Sequence, residues 1–229
     1  MENFSEKFIN NFITDDRWVY LFEGLKTTFV ITFFALIIGV VLGFVVAVIR
    51  TSADKTGKLK IPNAICKLYL TIVRGTPVMI QLLIIYYVIF TSPNVSKVFV
   101  AVIAFGINSG AYVAEIVRSG INSIDSGQFE AGRSLGLSYL ETFRFIIIPQ
   151  AFKNVLPALG NESISLLKET SISGYIGLMD LTKGGDIIRS RTYEAFMPLI
   201  AVALIYLVIV MLLSAGISRL ERRLHAGER

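Results

Sequence analysis

Phe33-Phe34-Ala35-Leu36-Ile37-Ile38-Gly39-Val40-Val41-Leu42-Gly43-Phe44-Val45-Val46-Ala47-Val48-Ile49 is the heart of an apolar run that begins at Leu25 and carries no charge after Lys26. As a helix rising 1.5 Å per residue, Leu25 to Ile49 is long enough to cross a bilayer. Gly39 and Gly43 put two small residues on one face, where a neighbouring helix can approach closely. The rest of the chain agrees. Its 229 residues are 54% hydrophobic and only 17% charged, with a mean hydropathy of +0.65. A soluble domain of this size needs far more charge to cover its surface. The class read from these features is an all-α polytopic membrane protein.

Four further spans are expected, at about 68–90, 98–117, 145–167 and 195–218, within a single transmembrane domain covering 1–229. The second is interrupted by Arg74-Gly75-Thr76-Pro77, and the fourth by Pro149, Lys153, Pro157, Asn161 and Glu162. Arg50, Lys55, Lys58 and Lys60 follow the first span, and Arg219, Arg222, Arg223 and Arg229 follow the fifth. Five spans place those two basic clusters on one side, which the positive-inside rule makes cytoplasmic. The N-terminus is then outside. It carries Glu2, Glu6, Asp15 and Asp16 where a secretory signal would be basic, so the first span is expected to remain in the mature protein. The net charge of +5 fits cytoplasmic loops and calls for no nucleic acid. One cysteine (Cys66) and one histidine (His225) leave no cluster for a metal.

The same topology puts Arg118 to Arg144 in the cytoplasm. Within it, Glu130-Ala131-Gly132-Arg133-Ser134-Leu135-Gly136 is polar and helix-prone where a simple loop would suffice. A helix from Gly127 to Leu135 should end at Gly136, since glycine accepts the left-handed helix terminus. A second helix should begin near Ser138, with Glu141 completing a capping box. Phe129, Leu135 and Leu137 give this knob an apolar face, and a docking segment is read over 127–141. There is no Gly-x-x-x-x-Gly-Lys-Ser/Thr loop, so hydrolysis of ATP would need a partner.

This segment, running on to Ile146, Ile148 and Pro149, resembles the EAA signature of ATP-binding-cassette (ABC) importer permeases, with Gly132 in place of the third alanine. Arg74-Gly75-Thr76-Pro77, Ser109 through Arg118, Gly127 through Glu130, Pro149-Gln150-Ala151 and Leu159 through Ser171 are similar to the polar amino-acid permeases of that group. The resemblance implies a type I ABC importer-like bundle of five helices with a cytoplasmic coupling helix. It also implies a cell (inner) membrane location in a bacterium or archaeon, a second permease subunit (identical or a close homologue), ABC ATPase subunits that bind ATP and Mg, and a separate extracytoplasmic amino-acid-binding protein. This chain would hold no cofactor and catalyse no reaction.

In that reading 127–141 is the coupling segment, where Glu130, Ala131, Gly132 and Gly136 couple to the ATPase, and Arg74 belongs to a cytoplasmic-side gate or snorkels to headgroups. Intramembrane polar groups are costly and mark candidate substrate contacts. Those are Asn108, Glu115, Asn161, Glu162 and Ser165, with helix–helix locking as the alternative. Glu115 and Arg118, three residues apart, are expected to pair. The two acids favour a basic substrate (arginine, lysine, histidine) over glutamine or glutamate. The Gly-rich segment Lys168 to Glu194 should form a short interfacial helix and loop that meet the binding protein. An ion-coupled transporter or channel is the rival reading, weakened by the coupling segment and by the lack of an evident internal repeat. A membrane enzyme lacks a legible catalytic set.

Overall fold

The computed structural model describes residues 3–226 and contains helices but no strand among them. Glu2 and Arg229 lie outside the described residues, as do the side chains of Lys55 and His225. The elements are α1 (Phe4–Phe8), α2 (Trp18–Thr56), α3 (Lys60–Gly75), α4 (Val78–Ile84), α5 (Lys97–Asn122), α6 (Ser126–Ser134), α7 (Tyr139–Thr142), α8 (Ile148–Glu169), α9 (Leu181–Thr192) and α10 (Phe196–His225). Three of them, α2, α5 and α10, are long and apolar enough to cross a membrane singly. Helix α2 spans 39 residues, roughly 58 Å at 1.5 Å per residue, so it outruns the hydrocarbon core at its ends.

Helices α2 and α5 form the spine, and small residues set their separation. A Cβ built at Gly39 would meet Ser109 Cβ at 2.9 Å, and one at Gly43 would meet Val113 Cβ at 2.6 Å and Gly110 O at 2.8 Å. From the α5 side, a Cβ at Gly106 would lie 2.8 Å from Ile38. The partner foreseen for the Gly39/Gly43 face is therefore α5. Further along, Arg50 meets Glu115 and Asp54 meets Arg118. Residue numbers rise together in these pairs, so the two helices run parallel. Around them Ile31, Ala35, Leu82, Val100, Phe105 and Leu166 form the largest buried cluster.

The second expected span is not a straight rod. Helix α3 and the stretch Val78–Ile89 bend by 109° at the break. Thr76 and Pro77 are both extended there, as the residue before a proline prefers and proline itself permits. Gln81 covers the break: its Nε2 donates to Val73 O at 2.7 Å and Thr76 O at 3.0 Å. Helix α8 grows out of α7 through a π-helical turn at Phe143–Ile147, so helix runs from Tyr139 to Glu169. At 22 residues α8 is long enough to span but carries too many polar groups to pass on apolarity.

Between α8 and α10, the Gly-rich segment folds as a 3-10 turn, Thr170–Ile176, followed by α9. The lack of a Cβ at Gly184 lets α9 sit against α2, since one there would lie 2.4 Å from Tyr20 O. Asp180 fixes this corner. It caps α9 by accepting from Lys183 N–H at 2.8 Å, and it also accepts from Ser173 Oγ and Gly174 N–H, each at 2.7 Å. Burial holds its carboxyl above the ordinary range, and those bonds offset only part of that push. Asp180→Ala removes the cap and orphans the two donors, a loss of about 2 kcal/mol. The expected result is a Tm lower by roughly 4–8 °C in a detergent melt. An unchanged Tm would mean that the corner is not a stability determinant.

A polar belt, an ionic cluster and a surface elbow

Asn108 and Ser109 are adjacent on α5, buried, and reach in different directions. Asn108 Nδ2 donates to Gln81 Oε1 on α4 at 3.0 Å, and Ser109 Oγ donates to Glu162 Oε1 on α8 at 2.8 Å. Three helices are thereby joined at one level of the bundle. Asn108 Oδ1 is buried and meets no donor among the described residues. Asn161 and Ser165, one turn apart on α8 as anticipated, lie outside this belt, with Asn161 exposed and Ser165 half-buried. Gln81 was not singled out from sequence. It is the only non-aromatic polar side chain between Val78 and Phe90, and that isolation is the signal that could have found it.

Two turns further along α5 lies an ionic cluster. Both Arg50 Nη1 and Arg74 Nη1 contact Glu115 Oε1, at 3.0 and 3.6 Å. The expected Glu115–Arg118 pair does not form. Arg118 Nη2 instead lies 3.3 Å from Asp54 Oδ2. The reason is α2: Arg50 and Asp54 stand one turn apart alongside Glu115 and Arg118, so each charge finds an opposite partner across the helix contact. Arg74 also lies over the Tyr112 ring, 5.9 Å from its centroid. Arg50 is enclosed, with its side chain 12% exposed, while Arg74 at 45% is the freer of the two.

The third feature is the elbow between α5 and α8. Helix α6 starts one residue earlier than the sequence suggested, because Asp125 Oδ1 accepts from Gly127 N–H at 2.6 Å. It closes with Leu137 N–H on Gly132 O and Gly136 N–H on Arg133 O, at 3.2 and 3.0 Å. Gly136 has φ +84°. This is a Schellman turn, and the glycine supplies the left-handed residue. Ser138 and Glu141 form the anticipated capping box. Through its side chain and backbone N–H, Ser138 also holds the Glu141 carboxyl below the ordinary range.

Gly132 faces inward: a Cβ there would lie 2.6 Å from Thr142 Cγ2 and 2.9 Å from Ile146 Cδ1. That explains a glycine where the signature has alanine. Glu130 and Ala131 are exposed. The apolar face is not quite the one anticipated. Phe129 packs on Tyr139, with ring centroids 4.8 Å apart, but Leu135 is 80% exposed.

Parallel apolar helices, a broken element carrying arginine at its bend and a rigid two-helix elbow define a membrane-embedded bundle with polar groups held inside it. The chain belongs to the family of inner membrane components of binding-protein-dependent transport systems, which matches residues 39–226. It is 37% identical over 211 residues to the arginine transport system permease protein ArtQ of Bacillus subtilis, covering 91% of this chain and 94% of the relative. It is 38% identical over 207 residues to the glutamine transport system permease protein GlnP of Escherichia coli K12, covering 89% and 92%. Among solved structures, an amino acid ABC transporter crystallised with histidines superposes with a TM-score of 0.82 at 43% identity, covering 93% of this chain and 98% of that one. The methionine ABC transporter MetNI, at 21% identity and a TM-score of 0.74, shares the fold. The architecture is thus that of type I ABC importer permeases.

Proposed function

We propose that this chain is the membrane-spanning permease subunit of an ATP-driven importer of polar amino acids. The observation that carries the reading is near full-length similarity to two permeases named for glutamine and arginine transport. Asn108, Asn161, Glu162 and Ser165 line the path at and outside the α4–α5–α8 belt, Glu115 lies on its cytoplasmic side, and Arg74 sits at the gate there. An amino-acid zwitterion leaving water needs partners for its charged ends, and bare burial costs several kcal/mol for each. The orphan acceptor at Asn108 and the acid at Glu162 suit an ammonium or guanidinium donor. That chemistry leans toward a basic substrate, with glutamine as the alternative.

The whole chain acts as one permease domain of five spans, with α3–α4 and α8 supplying the two beyond α2, α5 and α10. Its N-terminus is outside and its C-terminus cytoplasmic. It pairs with a second permease subunit, receives substrate from an external binding protein, and docks ATPase subunits that hold ATP and Mg through the α6 elbow. Closure of the ATPases moves the elbows together and favours one of two bundle arrangements, and hydrolysis returns it to the other. The permease performs no covalent step.

The test is ATP-driven uptake into proteoliposomes holding this chain, its ATPase and its binding protein, with labelled arginine and glutamine in competition. Uptake of either that stops without ATP is the expected result, and uptake without any ATPase would return the ion-coupled reading. Glu162→Gln is expected to change KM about tenfold for at least one transported amino acid, equivalent to roughly 1.4 kcal/mol. Unchanged affinity across a panel of amino acids removes Glu162 from the path.

A further inference from the structure

We infer that the cleft between α3 and α5 is a second, inner station that holds the zwitterionic backbone of a free α-amino acid. The inference rests on the importer reading above. The cleft has a volume of about 580 Å³ and is bordered by Arg50, Lys67, Thr71, Arg74, Tyr112 and Glu115. That volume lies within the range of small-molecule sites, roughly 300–1,000 Å³. Glu115 stands six residues beyond Ser109, roughly 9 Å of helix rise, so the station is separate from the α4–α5–α8 belt.

The donors and acceptors match such a ligand group by group. Both guanidinium contacts fall on Glu115 Oε1, and Oε2 takes no ion pair among the described residues. An ammonium can therefore join at Oε2 without displacing Arg50. Arg74, at 3.6 Å and the more exposed of the two arginines, can turn from Glu115 to a carboxylate. Lys67 offers a second cation. Arg50 Nε is buried and meets no acceptor among the described residues, so Glu115 does not saturate this guanidinium. A simple anion fits less well, because Glu115 stands among the cations and repels it. A group carrying both charges answers both sides. The chemistry reads the backbone that all amino acids share and leaves the side chain over Tyr112. Side-chain selection is thus assigned elsewhere, to the belt.

The experiment uses the permease assembled with its ATPase in nanodiscs without nucleotide, carrying Cys66→Ser and Thr71→Cys. The rate of maleimide alkylation at position 71 is measured with glutamine, arginine, their methyl esters, their N-acetyl derivatives and inorganic phosphate. A free amino acid at ten times its Kd should slow alkylation about tenfold. The esters and N-acetyl forms, each lacking one charge, should not. Glu115→Gln and Arg74→Gln should each remove the protection while leaving the size-exclusion profile unchanged, and either variant suffices if the other fails to assemble. Absence of protection by an amino acid that the same complex takes up in proteoliposomes overturns the station and leaves the importer reading intact. Equal protection by phosphate or by the esters overturns it in favour of a plain anion or steric site. If neither amino acid is taken up at all, the importer reading falls and the station falls with it.

Discussion

Gly43→Leu is expected to destabilise the bundle more than any other single substitution on the spine. The first atom of the new side chain would already lie 2.6 Å from Val113 Cβ and 2.8 Å from the Gly110 carbonyl oxygen. A flexible side chain can turn aside, but a helix backbone cannot, so α2 and α5 must separate. The separation also pulls on the Arg50–Glu115 contact and on the Gly39–Ser109 approach. Overpacking of a close contact costs about 3 kcal/mol or more where backbone has to move, which corresponds to a Tm lower by roughly 6–12 °C. Val41→Leu, two residues away at a 62% exposed position of the same helix, is the control and should leave Tm unchanged. Equal melting of the two variants in detergent would show that α2 and α5 do not depend on this approach.

The Gly39/Gly43 stripe was legible because it is a local pattern: two small residues one turn apart in an apolar helix ask for a close neighbour. The same holds for Gly136 and for Ser138 with Glu141, where one turn of chain contains both the cue and its consequence. Helices α2 and α10 were legible as spans, though not in length. Helix α2 continues past the 25–49 run at both ends, through Trp18–Gly24, set off from it by Glu23 and Lys26, and through the polar Arg50–Thr56, which hydropathy does not register. Ion pairing was the clearest miss. Spacing along α5 suggested Glu115 with Arg118, but long charged side chains choose among neighbours in space, and α2 presents a better partner to each. The belt was half visible. Asn108 and Glu162 stood out as costly intramembrane groups, whereas the Asn108–Gln81 bond depends on the 109° bend between α3 and α4 and the Ser109–Glu162 bond on how α5 packs against α8. Thr76-Pro77 marks that break without stating its angle.

Gly132→Leu is expected to cut ATP-coupled uptake about a hundredfold while leaving the membrane helices folded. The substitution adds bulk where even a Cβ would sit within 3 Å of Thr142 and Ile146, so α6 must lift off the α7–α8 turn. The strongest consequence is geometric. On the proposed reading the elbow transmits motion to the bundle only while α6 and the Tyr139–Ile147 turn that leads into α8 move as one body, and the contact between them converges on this glycine. Uptake should fall by about a hundredfold, near the upper end of the range for a coupling free energy of ~1–3 kcal/mol between two sites. Gly132→Ala should fall between, because the gain in helix propensity, roughly 1 kcal/mol, opposes a smaller clash. Glu130→Ala tests the exposed side of the same helix, and Gly136→Trp tests its left-handed end. Both should lose uptake with spans intact, as judged by an unchanged helical circular dichroism signal and size-exclusion profile. Undiminished uptake by Gly132→Leu would detach α6 from energy coupling and leave the elbow as a structural corner between α5 and α8.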